Sequence, residues 1–326
     1  MSSQGPPVDW ISIGLGIGFG VLVRLILLRK DYRHYPGYPA GTVGQVTVAF
    51  FAAVIGGAFF PALVAKEYQA ATFLVLAATQ FTGLRKVEVS KLESIEKLTL
   101  VQRGSSYIQG IAQEFEERNY LVMGVAVVTA LAASLAKTEF GDFWPWVVGG
   151  GVGIIAMIVA YLVKSGPELG DVCTAELVPL TFKEGSLLYA GPVMLMEVGL
   201  PKARERYVKD GVGIVLTPTT PRGAGAIWDL GQRQAIIYNL YEIIGTKTDI
   251  GYGERIPICR MDLPEGTGKA GICLLPVAND PDRILEAVRR TPLLETAKAH
   301  SVYSPALIEW QQQHEGGEVG SHGRSS

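Results

Sequence analysis

The stretch of this chain best equipped for chemistry is Thr217-Pro-Thr-Thr-Pro-Arg-Gly-Ala-Gly225, placed between a predicted strand at 211–216 and a predicted helix. Loops at the C-terminal ends of strands are where open α/β sheets hold ligands. Arg222, the hydroxyls of Thr219 and Thr220, and the backbone N–H groups around Gly223 and Gly225 therefore form a candidate anion-binding loop. The loop matches no Walker pattern, and an ordinary Pro/Gly connection is the plainer alternative. Asp229, Asp249 and Asp262 are acidic candidates nearby, though spacing alone pairs none of them.

Elsewhere the groups that drive catalysis are scarce or badly placed. The four histidines, His34, His300, His314 and His322, lie outside the apolar runs, and no H-E-x-x-H pair occurs. Cys173, Cys259 and Cys273 have no partner at metal-ligand or redox spacing, so they are expected to be buried, inert thiols in a reducing compartment. These residues predict no metal site and no cofactor, and they leave any catalytic residue unknown. The apolar runs carry no mid-span aspartate. Arg24, near the end of the first run, is expected to snorkel to the interface, and Gln45, Thr47, Thr79 and Gln80 are the notable uncharged polar residues. A serine-type intramembrane hydrolase would lack a His or Lys deep enough to act as its base.

The elements that must position these groups fall into two unlike halves. Of 326 residues 48% are hydrophobic and 18% charged, too apolar for an ordinary soluble chain, and a net charge of −2 offers no field for nucleic acid. Apolar runs at 10–28, 42–65, 68–84, 120–137 and 143–164 approach the roughly 20 residues that a bilayer core requires. They predict an α-helical transmembrane bundle of about five helices, with four to six admissible, in a domain over 1–165 that meets the lipid bilayer. Asp9 ahead of the first run and Arg29-Lys30 after it are the wrong flanks for a cleaved signal peptide. Gly14, Gly16, Gly18 and Gly20 give overlapping G-x-x-x-G spacings for close helix packing, and Gly149, Gly150, Gly151 and Gly153 could act likewise.

Lys and Arg cluster after the first run (Arg29, Lys30, Arg33) and after the third (Arg85, Lys86, Lys91, Lys97, Arg103, Arg118), whereas the other connections offer Lys66 and Lys137. The positive-inside rule then puts the N-terminus outside and the C-terminal half in the cytosol. Residues 166–300 mix strand-like and helical runs and predict a cytosolic α/β domain. Its expected strands are 172–182, 187–198 and 211–216, with a hairpin of 255–262 and 269–277. Its expected helices are 201–209, 234–244 and 280–290, and another turn or helix opens at Thr291-Pro292. Residues 301–326 read as a flexible tail, without periodicity from about 311.

The cytoplasmic loop 85–119 is amphipathic. Ile108, Ile111, Ala112 and Phe115 recur at helical spacing, and Ser106 with Gln109 spells an S-x-x-Q capping box that would start the helix. Tyr107-Ile108-Gln109-Gly110-Ile111-Ala112, followed by Phe115-Glu116-Glu117-Arg118-Asn119-Tyr120, resembles the hexapeptide that names the YIEGIA protein family, and the likeness covers most of residues 8–300. That resemblance implies a multi-pass membrane protein of endospore-forming bacteria, a sporulation setting and a forespore membrane, and it supplies no reaction. The family's glutamate is Gln109 here, which can cap a helix but cannot act as a general base or nucleophile.

The function expected on these grounds is a plasma-membrane protein acting through membrane or cytosolic protein partners, by way of loop 85–119 and the cytosolic domain. A membrane-anchored hydrolase or protease, with its site in that domain or at the membrane face, is the alternative from another class. A small-solute channel is a third, though polar lining is sparse.

Overall fold

The computed structural model describes residues 9–31, 39–96, 101–164, 166–247, 257–262 and 268–298. The chain divides into two compact units, Met1–Val89 with Ile111–Ser165, and Ser90–Gly110 with Gly166–Ser326. Asp249, the four histidines, the Pro264 turn and the tail lie outside the described residues.

The first unit is helical. It contains α1 (Trp10–Asp31), α2 (Pro39–Val64), α3 (Tyr68–Gln80), the start of α4 (Leu84–Glu96), α5 (Ser105–Phe140) from Ile111 onward, and α6 (Gly150–Lys164), which a π-helical turn at Pro145–Gly149 introduces. Among the described residues four helices are long and apolar enough to cross a membrane: Trp10–Leu28, Thr42–Val64, Ser105–Phe140 and Pro145–Lys164. The expected run at 68–84 is instead a 13-residue helix closed by a 3-10 turn at Phe81–Gly83. The expected loop helix and the run at 120–137 are one uninterrupted helix, α5, because no proline separates them.

Side-chain neighbours fix the helix directions in this unit. Gly16 lies against Gly57 and Gly20 against Ala53, so α1 and α2 are antiparallel. Gly16 also meets Ala126 and Ala130 while Gly20 meets Val122, which makes α5 antiparallel to α1. Gly149 faces Leu15 and Gly153 faces Phe19, so α6 runs parallel to α1. Glycine is needed at these crossings for its size. A Cβ on Gly56 would stand 2.4 Å from the Met123 carbonyl oxygen, whereas one on Gly14 or Gly18 would meet nothing within 4 Å. Only one of the two G-x-x-x-G spacings on α1 therefore packs inside the unit. The core joins Val23 and Leu27 of α1, Ala49 and Ala53 of α2, Phe81, and Val122 and Ala126 of α5.

The second unit holds two antiparallel sheets. The larger has the order β1-β5-β7-β6, from β1 (Cys173–Val178), β5 (Val212–Pro218), β7 (Ala270–Leu274) and β6 (Ile258–Met261). The smaller is the meander β2 (Leu180–Lys183), β3 (Leu187–Ala190) and β4 (Val193–Glu197). The expected hairpin of 255–262 with 269–277 is β6 paired to β7. The run at 187–198 is two strands turned at Gly191, whose φ is 57°.

On one face of the larger sheet lie α8 (Pro221–Trp228), α9 (Leu230–Ile244) and α10 (Pro281–Arg289), and on the other lies the smaller sheet, with α7 (Pro201–Asp210) against β2. All five residues of β7 are buried because the strand is covered on both faces, which is why it reads as an unbroken apolar run. Asp280 caps α10 through the Arg283 N–H at 3.3 Å, as Asp-Pro-Asp predicts, and a short helix α11 (Glu295–Lys298) follows Thr291-Pro292. Helices and strands thus share this unit, but among the described residues every ladder is antiparallel.

Candidate functional site

The first four residues of the resemblance motif, Tyr107 to Gly110, are built into the second unit, and Ile111 and Ala112 begin the part of α5 that belongs to the first. Helix α5 begins at Ser105, one residue before the expected capping box, so Ser106 is already inside the first turn and the box does not form. The cap comes from elsewhere. Gln234 on α9 accepts the Tyr107 N–H through Oε1 at 3.1 Å, and Gly104, at φ 84°, carries the chain into the helix. The positive φ favours glycine, and a Cβ there would lie 2.4 Å from the Gln234 amide nitrogen, so a larger residue would displace the group that caps the helix.

Of the six motif positions only Gln109 is exposed; Tyr107, Ile108, Gly110, Ile111 and Ala112 are buried. The Tyr107 ring stands 6.1 Å from that of Tyr238, and Gly110 packs on Leu294. The expected apolar face, Ile108, Ile111, Ala112 and Phe115, is buried throughout.

Beside the motif is a buried polar network that sequence reasoning missed. Arg103 pairs with Glu96 through both its guanidinium and its backbone N–H. It stacks 4.1 Å above the Tyr238 ring and donates to the Tyr238 oxygen at 2.7 Å, and that hydroxyl donates to Glu242 at 2.8 Å. Burial, joined by the neighbouring carboxylates and against the pull of Arg103, keeps the Tyr238 phenol protonated well beyond the usual range. Gln232, fully buried, clamps the chain after α10, donating to the Pro292 carbonyl and accepting the Leu294 N–H. One sequence signal was available: Gln234, Tyr238 and Glu242 form an i, i+4, i+8 polar stripe along one side of α9.

In the candidate anion loop, Thr220 caps α8 and accepts the Gly223 N–H at 3.1 Å, while the Thr219 N–H donates to the Val172 carbonyl at 2.9 Å. Gly223 and Gly225 are buried, and Gly223 sits so close to Val172 that a Cβ would overlap its carbonyl. Thr219 and Arg222 are exposed. The loop follows a strand of an antiparallel sheet, where the crevice of a doubly wound sheet does not arise. Asp229 is the N-cap of α9, accepting from the Gln232 N–H at 2.7 Å, and Asp262 is buried. Burial pushes the thiols of Cys173 and Cys273 up to about 12, and Cys259 to about 12 against the pull of Arg233. None is a poised nucleophile.

The first unit buries charge that the sequence reading placed at the surface. Arg24 does not snorkel: it is fully buried, donates to Gln45 Oε1 at 3.1 Å and lies 5.7 Å from the Phe115 ring. Arg118, also buried, pairs with Glu114 and donates to the Leu27 carbonyl, and Lys164 pairs with Glu117 at 2.6 Å. The spacing of residues on α5 sets this cluster, because a helix that packs antiparallel to α1 brings its N-terminal half to the level of Arg24.

At the opposite end Asp9 caps α1, accepting the Ile11 N–H at 3.2 Å and the Ser12 hydroxyl at 2.5 Å, and receives Lys137 at 3.0 Å. Burial raises the Asp9 pKa, but the hydrogen bonds from Ser12 and Lys137 and the lysine's charge outweigh it, so the carboxyl sits below its ordinary value. A hydroxyl beside a carboxylate is a nucleophile-base geometry, yet a weakened base on a fully buried serine is poor equipment for it.

The YIEGIA protein family model matches residues 12–304 of the chain. The chain is also 35% identical, over 282 residues, to the uncharacterized protein YphB of Bacillus subtilis (strain 168), a match covering 86% of this chain and 91% of that one. No solved structure matches. With the family model matching residues 12–304 and the relative covered over most of its length, the chain belongs to the YIEGIA family.

Proposed function

We propose that this protein crosses the membrane five times, with its N-terminus outside and its sheet-containing domain in the cytosol, and that it acts through protein partners in sporulating cells. The helix directions carry this reading. α2 and α5 are parallel, so the chain between them must return to the starting side. Among the described residues only 68–84 are apolar enough to make that passage, and Phe81 at its far end shares a core with Val23 and Leu27. Five crossings leave the termini on opposite sides.

Lipid contact is supported by the outward faces of the helices, such as Ile154, Ile155, Ile158, Val159 and Leu162 on α6. An interfacial belt of Trp10, Phe140, Phe143, Trp144 and Trp146 marks the Asp9–Lys137 end. Lys and Arg concentrate at the other end, the cytosolic one by the positive-inside rule.

Partner binding is favoured over catalysis by where the polar groups are committed. The Tyr107 N–H, Gln232, Gln234, Asp229 and Thr220 are all engaged in holding the domain together. Gln109 and Arg222 face outward and are the natural reading surfaces. Fusions after residues 66, 141 and 165 test the topology: alkaline phosphatase is active at 66 and 141 and silent at 165, and activity at 165 overturns the reading. A photo-crosslinking residue at Gln109 gives a defined adduct in sporulating cells. Turnover of a substrate by the purified protein that Ser12→Ala or Arg222→Ala abolishes, with folding intact, would favour the hydrolase instead.

A further inference from the structure

The short passage through α3 leaves a helix face that lipid serves badly. Only Ala71 of α3 is buried. Gln69, Thr72, Phe73, Leu76, Thr79 and Gln80 are exposed and recur at i, i+3, i+4, i+7 spacing, so they share one stripe. Two hydroxyls of the stripe are satisfied locally, Thr72 donating to the Tyr68 carbonyl at 2.8 Å and Thr79 to the Leu76 carbonyl at 2.6 Å. The Gln80 carboxamide makes no hydrogen bond among the described residues. Hydrocarbon offers neither donor nor acceptor to an amide, so a cover of protein is favoured there.

A second observation points the same way. Residues 68–84 reach about 25 Å at 1.5 Å per residue, short of a hydrocarbon core of about 30 Å. A helix that is too short for its bilayer thins it locally, and pairing two such helices shares that distortion.

We propose that this face of α3 is where a second copy of the chain docks. The inference rests on the five-crossing reading above. Every copy in one membrane has the same orientation, so a two-fold axis along the membrane normal brings each residue opposite its own equivalent at the same depth. A glutamine amide carries both donor and acceptor and so satisfies its equivalent across such an axis. Leu76 then meets its counterpart one turn away.

The test uses the full chain in native membranes. Gln80→Cys and Leu76→Cys are each oxidised beside wild type and beside Ile155→Cys, which lies on the lipid-facing side of α6. Both α3 variants are expected to yield an adduct of twice the chain's mass, at least tenfold above the other two samples. Gln80→Leu lowers the dimer fraction tenfold by native mass spectrometry of the detergent-solubilised protein. Equal cross-linking at Ile155, no adduct at α3, or an adduct of any other mass overturns the proposal. Carbonate extraction of the same membranes separates the two failures: a chain that stays in the pellet without an adduct sinks the dimer alone, and a chain that washes out sinks the membrane reading.

Discussion

Single residues in this protein are set by what surrounds them more than by their type. Gln45 and Thr47 stand two apart on one apolar helix, yet Gln45 is buried against Arg24 while Thr47 is exposed and donates to its own Val43 carbonyl. Gln45→Leu leaves a buried guanidinium short of an acceptor and is expected to cost about 1.5–3 kcal/mol. Thr47→Leu is expected to be neutral, and thermal unfolding in detergent compares them. The cysteines allow a pH prediction. Their pKa values, raised by burial to about 12, favour the protonated thiol in the fold. That contribution is fully present below the unfolded value of about 8.5 and is lost as pH rises from there towards 12. Cys173 and Cys273 should therefore resist maleimide at pH 8 until the protein unfolds, and the thermal midpoint of the domain should fall steadily above about pH 8.5. Rapid labelling of Cys173 or Cys273 in the folded chain at pH 8 would contradict the burial.

At the scale of elements, helix contacts separate glycines that look equivalent in sequence. Gly56→Leu drives a side chain into the α5 backbone at Met123, whereas Gly18→Leu enters open space on α1. The first is expected to lower the unfolding temperature sharply or prevent accumulation in membranes, and the second to leave both unchanged. Equal behaviour would mean that α2 does not approach α5 as described. The start of α5 shows the same dependence on distant partners. An S-x-x-Q pattern is a sound local signal for a cap, but a glutamine 127 residues further along takes the Tyr107 N–H instead. Local chemistry proposed the right helix and the wrong first residue, because which acceptor reaches an N–H depends on what is packed beside it.

For the whole molecule, the second unit is discontinuous: residues 90–110 belong with 166–326. Arg103 and Tyr107 pack on α9, so a fragment of 166–326 exposes the Tyr238 face and leaves Gln234 without the Tyr107 N–H. We expect that fragment to unfold at lower temperature, or to aggregate, relative to one in which 90–110 is fused ahead of 166 by a flexible linker. Equal melting of the two would show that the segment is dispensable.

Composition and periodicity alone determined that the front half is built of membrane-type helices and the rear half of mixed strands and helices. Apolar run length and alternation are local properties, legible one residue at a time. The same holds for the caps at Asp280 and the β6–β7 hairpin, whose signals lie within a few residues of each other. Partners far apart in sequence were decided by the tertiary structure: Arg24 turning inward to Gln45, Arg103 stacking on Tyr238, and α5 running parallel to α2. A buried charge and an orphan N–H are satisfied by whichever group the packing delivers, and the chain does not announce that group in advance.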